Sequence, residues 1–236
     1  MKILVLWDID HTLVSVGGLS GEIYKVTFER VTGRRMKRLA DMAGRTDRAI
    51  TAETLRIHGI TPTPEVMATF TDALADAFWG RQSELTTRGQ VLSGARDALV
   101  ALAGRDEVIQ SVLTGNMEPI ARCKLAAFGL DRFVDFDAGA YGMDDTERPP
   151  LVALARERAE RKYRQAFGPS TTVLIGDTPK DVEAGHQGGA RVVAVATGAT
   201  SEQQLRDAGA ELVLASLEDT AAVVRSVLGV TGPVGP

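Results

Sequence analysis

The apolar positions of the chain fall into two kinds of pattern. Ile3-Leu4-Val5-Leu6-Trp7 is an uninterrupted run between Lys2 and Asp8, as expected of a strand buried on both faces. Leu13 to Gly18 reads as a short turn with Gly17-Gly18 as a hinge. The period then changes. Ile23, Val26, Thr27, Phe28 and Val31 recur at helical spacing over 20–32, closed by Gly33. Ile50, Leu55 and Ile57 do so over 47–58, closed by Gly59, and Val66, Phe70, Leu74 and Phe78 over 63–84. No strand-like segment stands out between residues 19 and 90.

From residue 91 the two patterns alternate. Strands are predicted over 108–113, 133–138, 173–175, 190–196 and 211–214, and helices over 94–103, 117–128, 149–167, 179–187, 201–208 and 217–227. Strands separated by helices indicate βαβ units and a parallel sheet. The expected fold is therefore α/β: a Rossmann-like parallel sheet core in three layers (α/β/α) with an inserted all-helical domain. The core is expected to be discontinuous, made of 1–16 and 91–229. Residues 17–90 would form the insertion, placed to cover a site at the sheet edge, and 230–236 a flexible tail.

Composition narrows the function classes. The chain has 236 residues, an ordinary apolar fraction of 44% and a net charge of −4 with no long run of one sign. This argues against nucleic-acid binding or a membrane surface as partner. No apolar stretch approaches membrane-spanning length, and the first apolar run turns acidic too soon for a signal peptide. With one cysteine, Cys123, no intrachain disulfide is possible. These features predict a cytoplasmic protein in which Cys123 is a packing residue. Whether it is a monomer or a homodimer is not legible.

Candidate chemistry gathers at the predicted carboxyl ends of strands, where open α/β sheets bind their ligands. Asp8 and Asp10 follow the first strand two positions apart. Such a pair suits a metal, or a division of labour between nucleophile and general acid/base, but equally an Asp-rich turn. Thr114-Gly115-Asn116 offers a hydroxyl and an exposed backbone N–H at a helix start, suited to an anionic oxygen or simply to capping. In Gly176-Asp177-Thr178-Pro179-Lys180-Asp181, a cap explains Thr178 and Pro179 but not Asp177. Asp177 and Asp181 together with Asp8 would make an oxygen-rich site for Mg²⁺. Arg148, opening the long helix, is a cation able to neutralise a carboxylate or a phosphate.

In order and context these segments resemble the haloacid dehalogenase-like superfamily of phosphohydrolases. Asp8-Ile9-Asp10-His11-Thr12 resembles its first motif, Thr114 its second, and Gly176-Asp177-Thr178-Pro179-Lys180-Asp181 its fourth; the helical insertion falls where the family carries a helical cap. The resemblance implies a Mg²⁺-dependent phosphatase of a small phosphorylated metabolite. Asp8 would form an aspartyl-phosphate and Asp10 would act as general acid/base. Asp8, the backbone carbonyl of Asp10, and Asp177 would hold the metal, with Asp181 in support. Thr114, Gly115, Asn116 and the His11 N–H would contact the phosphoryl group.

Two positions depart from the family pattern. His11 stands where Gly is common; its N–H is expected to remain available and its side chain to pack or contact the cap. The third motif normally supplies Lys; Arg148 before Pro149 is the aligned candidate, Lys162 a poorer one. Ala43-Gly44-Arg45-Thr46-Asp47 resembles the specificity segment of phosphoglycolate phosphatase-like members. There Arg45 would grip the substrate, or else lie in solvent beside a helix capped by Thr46. A phosphosugar mutase of the same family would use the same Asp8 and Asp10. Asp10 speaks against dehalogenases and phosphonoacetaldehyde hydrolases. A receiver-like phospho-acceptor or a non-catalytic binding protein is a more distant alternative.

Overall fold

Strand β1 (Ile3–Trp7) is central in a computed structural model that describes residues 2–229. It pairs in parallel with β4 (Val108–Val112) on one side and β5 (Thr172–Gly176) on the other. β6 (Arg191–Val195) and β7 (Val213–Leu214) complete a five-stranded parallel sheet of order β4-β1-β5-β6-β7. After β1 the chain moves to one side for β4 and returns to the other for β5, so the order switches at β1. A ligand crevice is expected outside the carboxyl end of that strand.

The period of two along β1 sorts its side chains into two layers. Val5 and Trp7 join Leu99 of α5 (Ala95–Ala103), Ile120 of α6 (Glu118–Ala127) and Val224 of α10 (Thr220–Leu228). Leu4 and Leu6 join Leu151, Val152 and Ala155 of α7 (Pro149–Tyr163) and Ala184 of α8 (Pro179–Gly188). Helix α9 (Glu202–Asp207) covers the β6 end through Leu205. This is the three-layer α/β/α arrangement. Among the described residues, no helix is long and apolar enough to cross a membrane.

Between β1 and α5 the regular elements are helices and a short antiparallel ribbon, β2 (Val14–Ser15) with β3 (Gln90–Val91), with an irregular connection over 33–46. The ribbon falls where the hydropathy pattern predicts only a turn, since two residues per strand leave no periodicity. It brings both ends of the insertion together. The insertion contains α1 (Leu19–Thr32), α2 (Asp47–Ile57), α3 (Pro64–Gly80) and α4 (Gln82–Arg88). α1 and α3 pack through Tyr24 and Phe70, ring centroids 6.0 Å apart.

Three predicted elements differ. The helix expected over 63–84 is two, broken at Arg81, whose guanidinium is held by Glu84 (2.6 Å) and Glu22 (3.3 Å) while the chain turns toward the ribbon. The helix expected to reach 167 ends at Tyr163. Arg164 takes a left-handed φ of 52°, and the Glu160 carboxylate accepts the N–H of Phe167 at 2.9 Å. The segment 133–138 is not a strand but part of two 3₁₀ turns, Asp131–Phe133 and Phe136–Ala138. The Asp135 side chain accepts the Asp137 N–H at 3.1 Å and so favours the turn over a ladder. The tail expected over 230–236 lies outside the described residues.

Gln110 is a buried polar residue in the middle of β4. Its Oε1 accepts the Trp7 indole N–H at 3.0 Å and its Nε2 donates to the Leu99 carbonyl at 2.9 Å. Gln110→Leu strands the indole N–H in the core. It is expected to lower unfolding stability by about 1–3 kcal/mol, measurable as a shifted urea midpoint with unchanged slope.

Candidate active site

Asp8 leaves the end of β1 with its carboxylate buried. Asp177 follows β5, and Asp181 lies in the first turn of α8. One carboxylate oxygen of each lies within 4.8 Å of the others. Each is held by local structure. Thr12 donates to Asp177 at 3.2 Å. Asp181 and Thr178 form a reciprocal cap: the Thr178 N–H and hydroxyl donate to Asp181 Oδ2 at 3.0 and 2.6 Å, leaving Oδ1 for another partner.

That partner is Arg148, the residue before α7. Its Nη2 donates to Asp181 Oδ1 and, at 3.2 Å, to Asp8 Oδ1. Its Nη1 lies near Gly115, and its Nε is buried with no hydrogen-bond partner. One guanidinium does not neutralise three carboxylates. Burial pushes the Asp8 carboxyl well above its usual range, Arg148 opposes this, and Asp181 and Asp177 add to it. Asp177 is pushed up to about 7 by burial and by the neighbouring Asp181. The surplus negative charge and all-oxygen donor set fit a hard divalent cation. The orphaned Arg148 donor fits an anion beside it.

Asp10 points elsewhere. Its carboxylate accepts from Asn116 Nδ2 at 2.8 Å and from Lys124 Nζ at 2.8 and 2.7 Å, outside the acidic triad. Lys124 Nζ also donates to Asn116 Oδ1 at 2.8 Å. The lysine charge and these hydrogen bonds outweigh burial and lower the Asp10 pKa. Thr114 is buried beneath Asn116, its Oγ1 accepting from Asn116 Nδ2 at 2.9 Å. A cleft of about 470 Å³ runs past Asp8, Asp10, Thr114, Arg148 and Asp177, with Phe78 and Tyr24 of the insertion on its other wall.

The insertion is tied to this edge by residues 46–48. Asp47 N–H donates to the Gly115 carbonyl at 2.7 Å and Arg48 N–H to the Gly142 carbonyl at 3.0 Å. Thr46 Oγ1 donates to the Thr146 carbonyl at 2.8 Å. The buried Asp47 carboxylate accepts from Tyr24 Oη at 2.7 Å and Met117 N at 2.8 Å. The approach needs glycine at 142, where a Cβ would sit 1.7 Å from the Gly115 oxygen.

Residues 149–220 match the model of a family described as HAD-hydrolase-like. No curated protein matches the chain. Solved structures match it over nearly its whole length. A hydrolase from Pseudomonas syringae is 19% identical, with a TM-score of 0.69, over 96% of this chain and 99% of that one. CbbY from Rhodobacter sphaeroides, in complex with xylulose-(1,5)bisphosphate, is 21% identical, with a TM-score of 0.70, over 93% and 96%. A predicted phosphoglycolate phosphatase from Haemophilus somnus is 16% identical, with a TM-score of 0.65, over 94% and 98%. At these identities the likeness is one of fold. The chain has a HAD-like hydrolase fold.

Within this HAD-like fold, Asp8, Arg148, Asp177 and Asp181 form one cluster, and Asp10, Thr114 and Asn116 form a second beside it. Lys162 is in neither: it pairs with Asp135 and Asp137 at 2.6 and 2.8 Å. The His11 N–H, expected to be free, donates to the Val14 carbonyl at 2.8 Å. The His11 backbone is left-handed, at φ 61°, and its side chain is exposed at the cleft rather than packed. Arg45 lies on the cleft wall paired with Glu53 at 2.6 Å, beside a Thr46 that caps α2. Gly44 takes a left-handed φ of 63° against Lys180. Cys123 is buried, its thiol pushed up to about 11 by burial.

Lys124 is absent from the sequence-based candidates, and Asp47 enters them only as the last residue of the segment from Ala43. Lys124 carried a signal: it falls in the apolar stripe Met117, Ile120, Ala121, Leu125 of α6, where a solvated lysine has no place. Asp47 carried none, since an acidic residue in a first helical turn is expected from the helix dipole alone.

Burial and Asp181 push the Asp177 carboxyl up to about 7 in the folded chain, against about 3.9 when unfolded. Between these values the unfolded state binds fewer protons, so folding stability falls as pH rises. Without divalent cation, the melting temperature is expected to drop between about pH 4 and pH 7. Added Mg²⁺ should raise it more at pH 8 than at pH 5 by scanning calorimetry; an equal shift at both would detach the acidic triad from the ion.

Proposed function

We propose that the chain is a Mg²⁺-dependent phosphatase acting on a small phosphorylated metabolite. The observation that carries this reading is Arg148. It bridges Asp8 and Asp181 while keeping an unpartnered donor and a second donor edge near Gly115. That arrangement holds a carboxylate in place and receives an anion next to it. The CbbY structure is described as a complex with a sugar bisphosphate, which supports a ligand of this class, and a cleft of about 470 Å³ suits a small one.

Asp8 attacks phosphorus, and the bond from phosphorus to the leaving oxygen breaks as Asp10 gives that oxygen a proton. Asp10, now a carboxylate, takes a proton from water as the water oxygen attacks the aspartyl-phosphate, releasing phosphate and restoring Asp8. Thr114 and Arg148 bind the phosphoryl oxygens; phosphoryl transfer is mainly positioning and charge neutralisation. Asp8, Asp177, the Asp10 carbonyl and Asp181 would hold Mg²⁺, which supplies neutralisation of the phosphoryl charge when bound. The insertion, read as a cap, excludes water from the cleft. Arg45 on the cleft wall is placed to contact the rest of the substrate once released from Glu53. A mutase would show the same first step and differ in where the phosphoryl group goes.

Phosphate release from a panel of sugar phosphates, phosphoglycolate and nucleotides is expected with Mg²⁺, lost with EDTA and restored on adding the ion. Asp8→Asn should abolish release and leave the melting transition cooperative. Retention of turnover in Asp8→Asn removes Asp8 as nucleophile. Phosphate moved between sugar positions, without release, identifies a mutase.

A further inference from the structure

Lys124 is placed for one task. It stands on α6 with a side chain 2% exposed, and burial of a lysine this complete is rare without a partner. Its three donor bonds, to Asp10 Oδ1, Asp10 Oδ2 and Asn116 Oδ1, match the three donors of an ammonium group. The Phe78 ring of the insertion closes over it, with its centroid 5.5 Å from Nζ. Asn116 is fixed in turn. Its amide N donates to Asp10 Oδ2 and to Thr114 Oγ1, and its amide O accepts from Lys124. The reverse amide orientation would set its oxygen against the Asp10 carboxylate.

The two oxygens of Asp10 are not equivalent in this clamp. Oδ2 accepts from both Lys124 and Asn116 and has used its in-plane acceptor capacity; Oδ1 accepts from Lys124 alone. The remaining lone pair of Oδ1 is the one free to carry a proton. The Asp10 side chain is 34% exposed, and the cleft runs past it.

We propose that Lys124, acting with Asn116, is a positioning residue that locks the Asp10 carboxylate so that Oδ1 exchanges the proton with the leaving oxygen and then with water. The inference rests on the phosphatase reading. It adds no step: Oδ1–H donates to the leaving oxygen as the phosphorus–oxygen bond breaks, and Oδ1 later accepts the water proton. Because Lys124 is sealed by Phe78, the lock is complete only when the insertion lies against the core.

A positioning role predicts sensitivity to the leaving group. Phenolate from phenyl phosphate needs a proton; p-nitrophenolate leaves without one. In rapid-quench first turnovers with Mg²⁺, Lys124→Met should slow phenol release by about 10²-fold while p-nitrophenol release stays near the wild-type rate. A burst of p-nitrophenol should then precede a slow second phase, because hydrolysis of the aspartyl-phosphate also needs Asp10. KM should change little. Lys124→Gln, which keeps a donor to Asp10, should recover part of the loss, and it carries the same comparison if Lys124→Met does not fold. Equal slowing of both esters, or no slowing of either, overturns the proposal. Asp10→Asn run alongside separates the two levels. If Asp10→Asn discriminates between the esters and the Lys124 variants do not, the proposal fails alone. If wild type releases neither product, or Asp10→Asn acts like wild type, the reading beneath it fails as well.

Discussion

Mutual repulsion among three buried carboxylates is the constraint around which the sheet edge is built. Two like charges about 4 Å apart repel by about 4 kcal/mol at the effective dielectric of such sites. Asp8, Asp177 and Asp181 offer oxygens within 4.8 Å of one another, with one guanidinium against Asp8 and Asp181. Strand ends, a helix cap and a threonine hydroxyl fix them so that none can turn to water. β1 and β5 are neighbours in the sheet, which sets Asp8 and Asp177 side by side, and α8 begins at once after β5, which adds Asp181. The parallel order β4-β1-β5 is therefore what creates the charge problem. Arg148 at the start of α7 offsets only part of it. Such stored instability is what a bound cation relieves.

Asp10 follows the opposite electrostatic logic. Two positions along the chain from Asp8, it turns toward α6 and takes two hydrogen bonds from Lys124, with the buried Asp47 carboxylate close by. Asp8 and Asp10 thus reside in environments that push their pKa values apart, the former up by burial among like charges, the latter down beside Lys124. Burial among like charges favours the protonated form of Asp8, and Lys124 the charged form of Asp10; a cation at the triad would return Asp8 to the carboxylate a nucleophile needs. The separation follows from the partners each side chain meets, Arg148 and two carboxylates for Asp8, Lys124 and Asn116 for Asp10.

Much of this was legible in the sequence because it is local. β1 is an apolar run, the helices of the insertion have clean periodicity, and the caps at Thr46 and Thr178 are where the sequence puts them. The residues closing each strand at Asp8, Thr114 and Asp177 were visible for the same reason. What was not legible depends on distant partners. The ribbon of Val14–Ser15 with Gln90–Val91 joins segments some seventy-five residues apart in sequence. The segment 133–138 has the apolar residues of a strand because it packs against the sheet, but it meets β4 through the Asp135 N–H and the Gln110 carbonyl while its backbone turns. The His11 N–H looked free because its partner, the Val14 carbonyl, is supplied by a turn whose shape the sequence does not state. Asp47 reads as a helix-start acid until α6 is beside it.

Arginine rather than lysine at 148 follows from the same geometry. An ammonium group at this point would meet Asp8 and Asp181 with a single atom and have its charge spent there. The guanidinium reaches both carboxylates through one nitrogen, Nη2, and turns its other edge away from them. Nη1 lies near Gly115, whose lack of a side chain lets the Arg45 carbonyl approach within 2.1 Å of the place a Cβ would occupy. A cation that fastens two carboxylates and still presents unpaired donors is a property of the planar fork, not of charge alone. Replacing Arg148 by Lys would keep the charge and lose that division of labour. The buried Nε has no hydrogen-bond partner, so the fork keeps more donor capacity than the two carboxylates use.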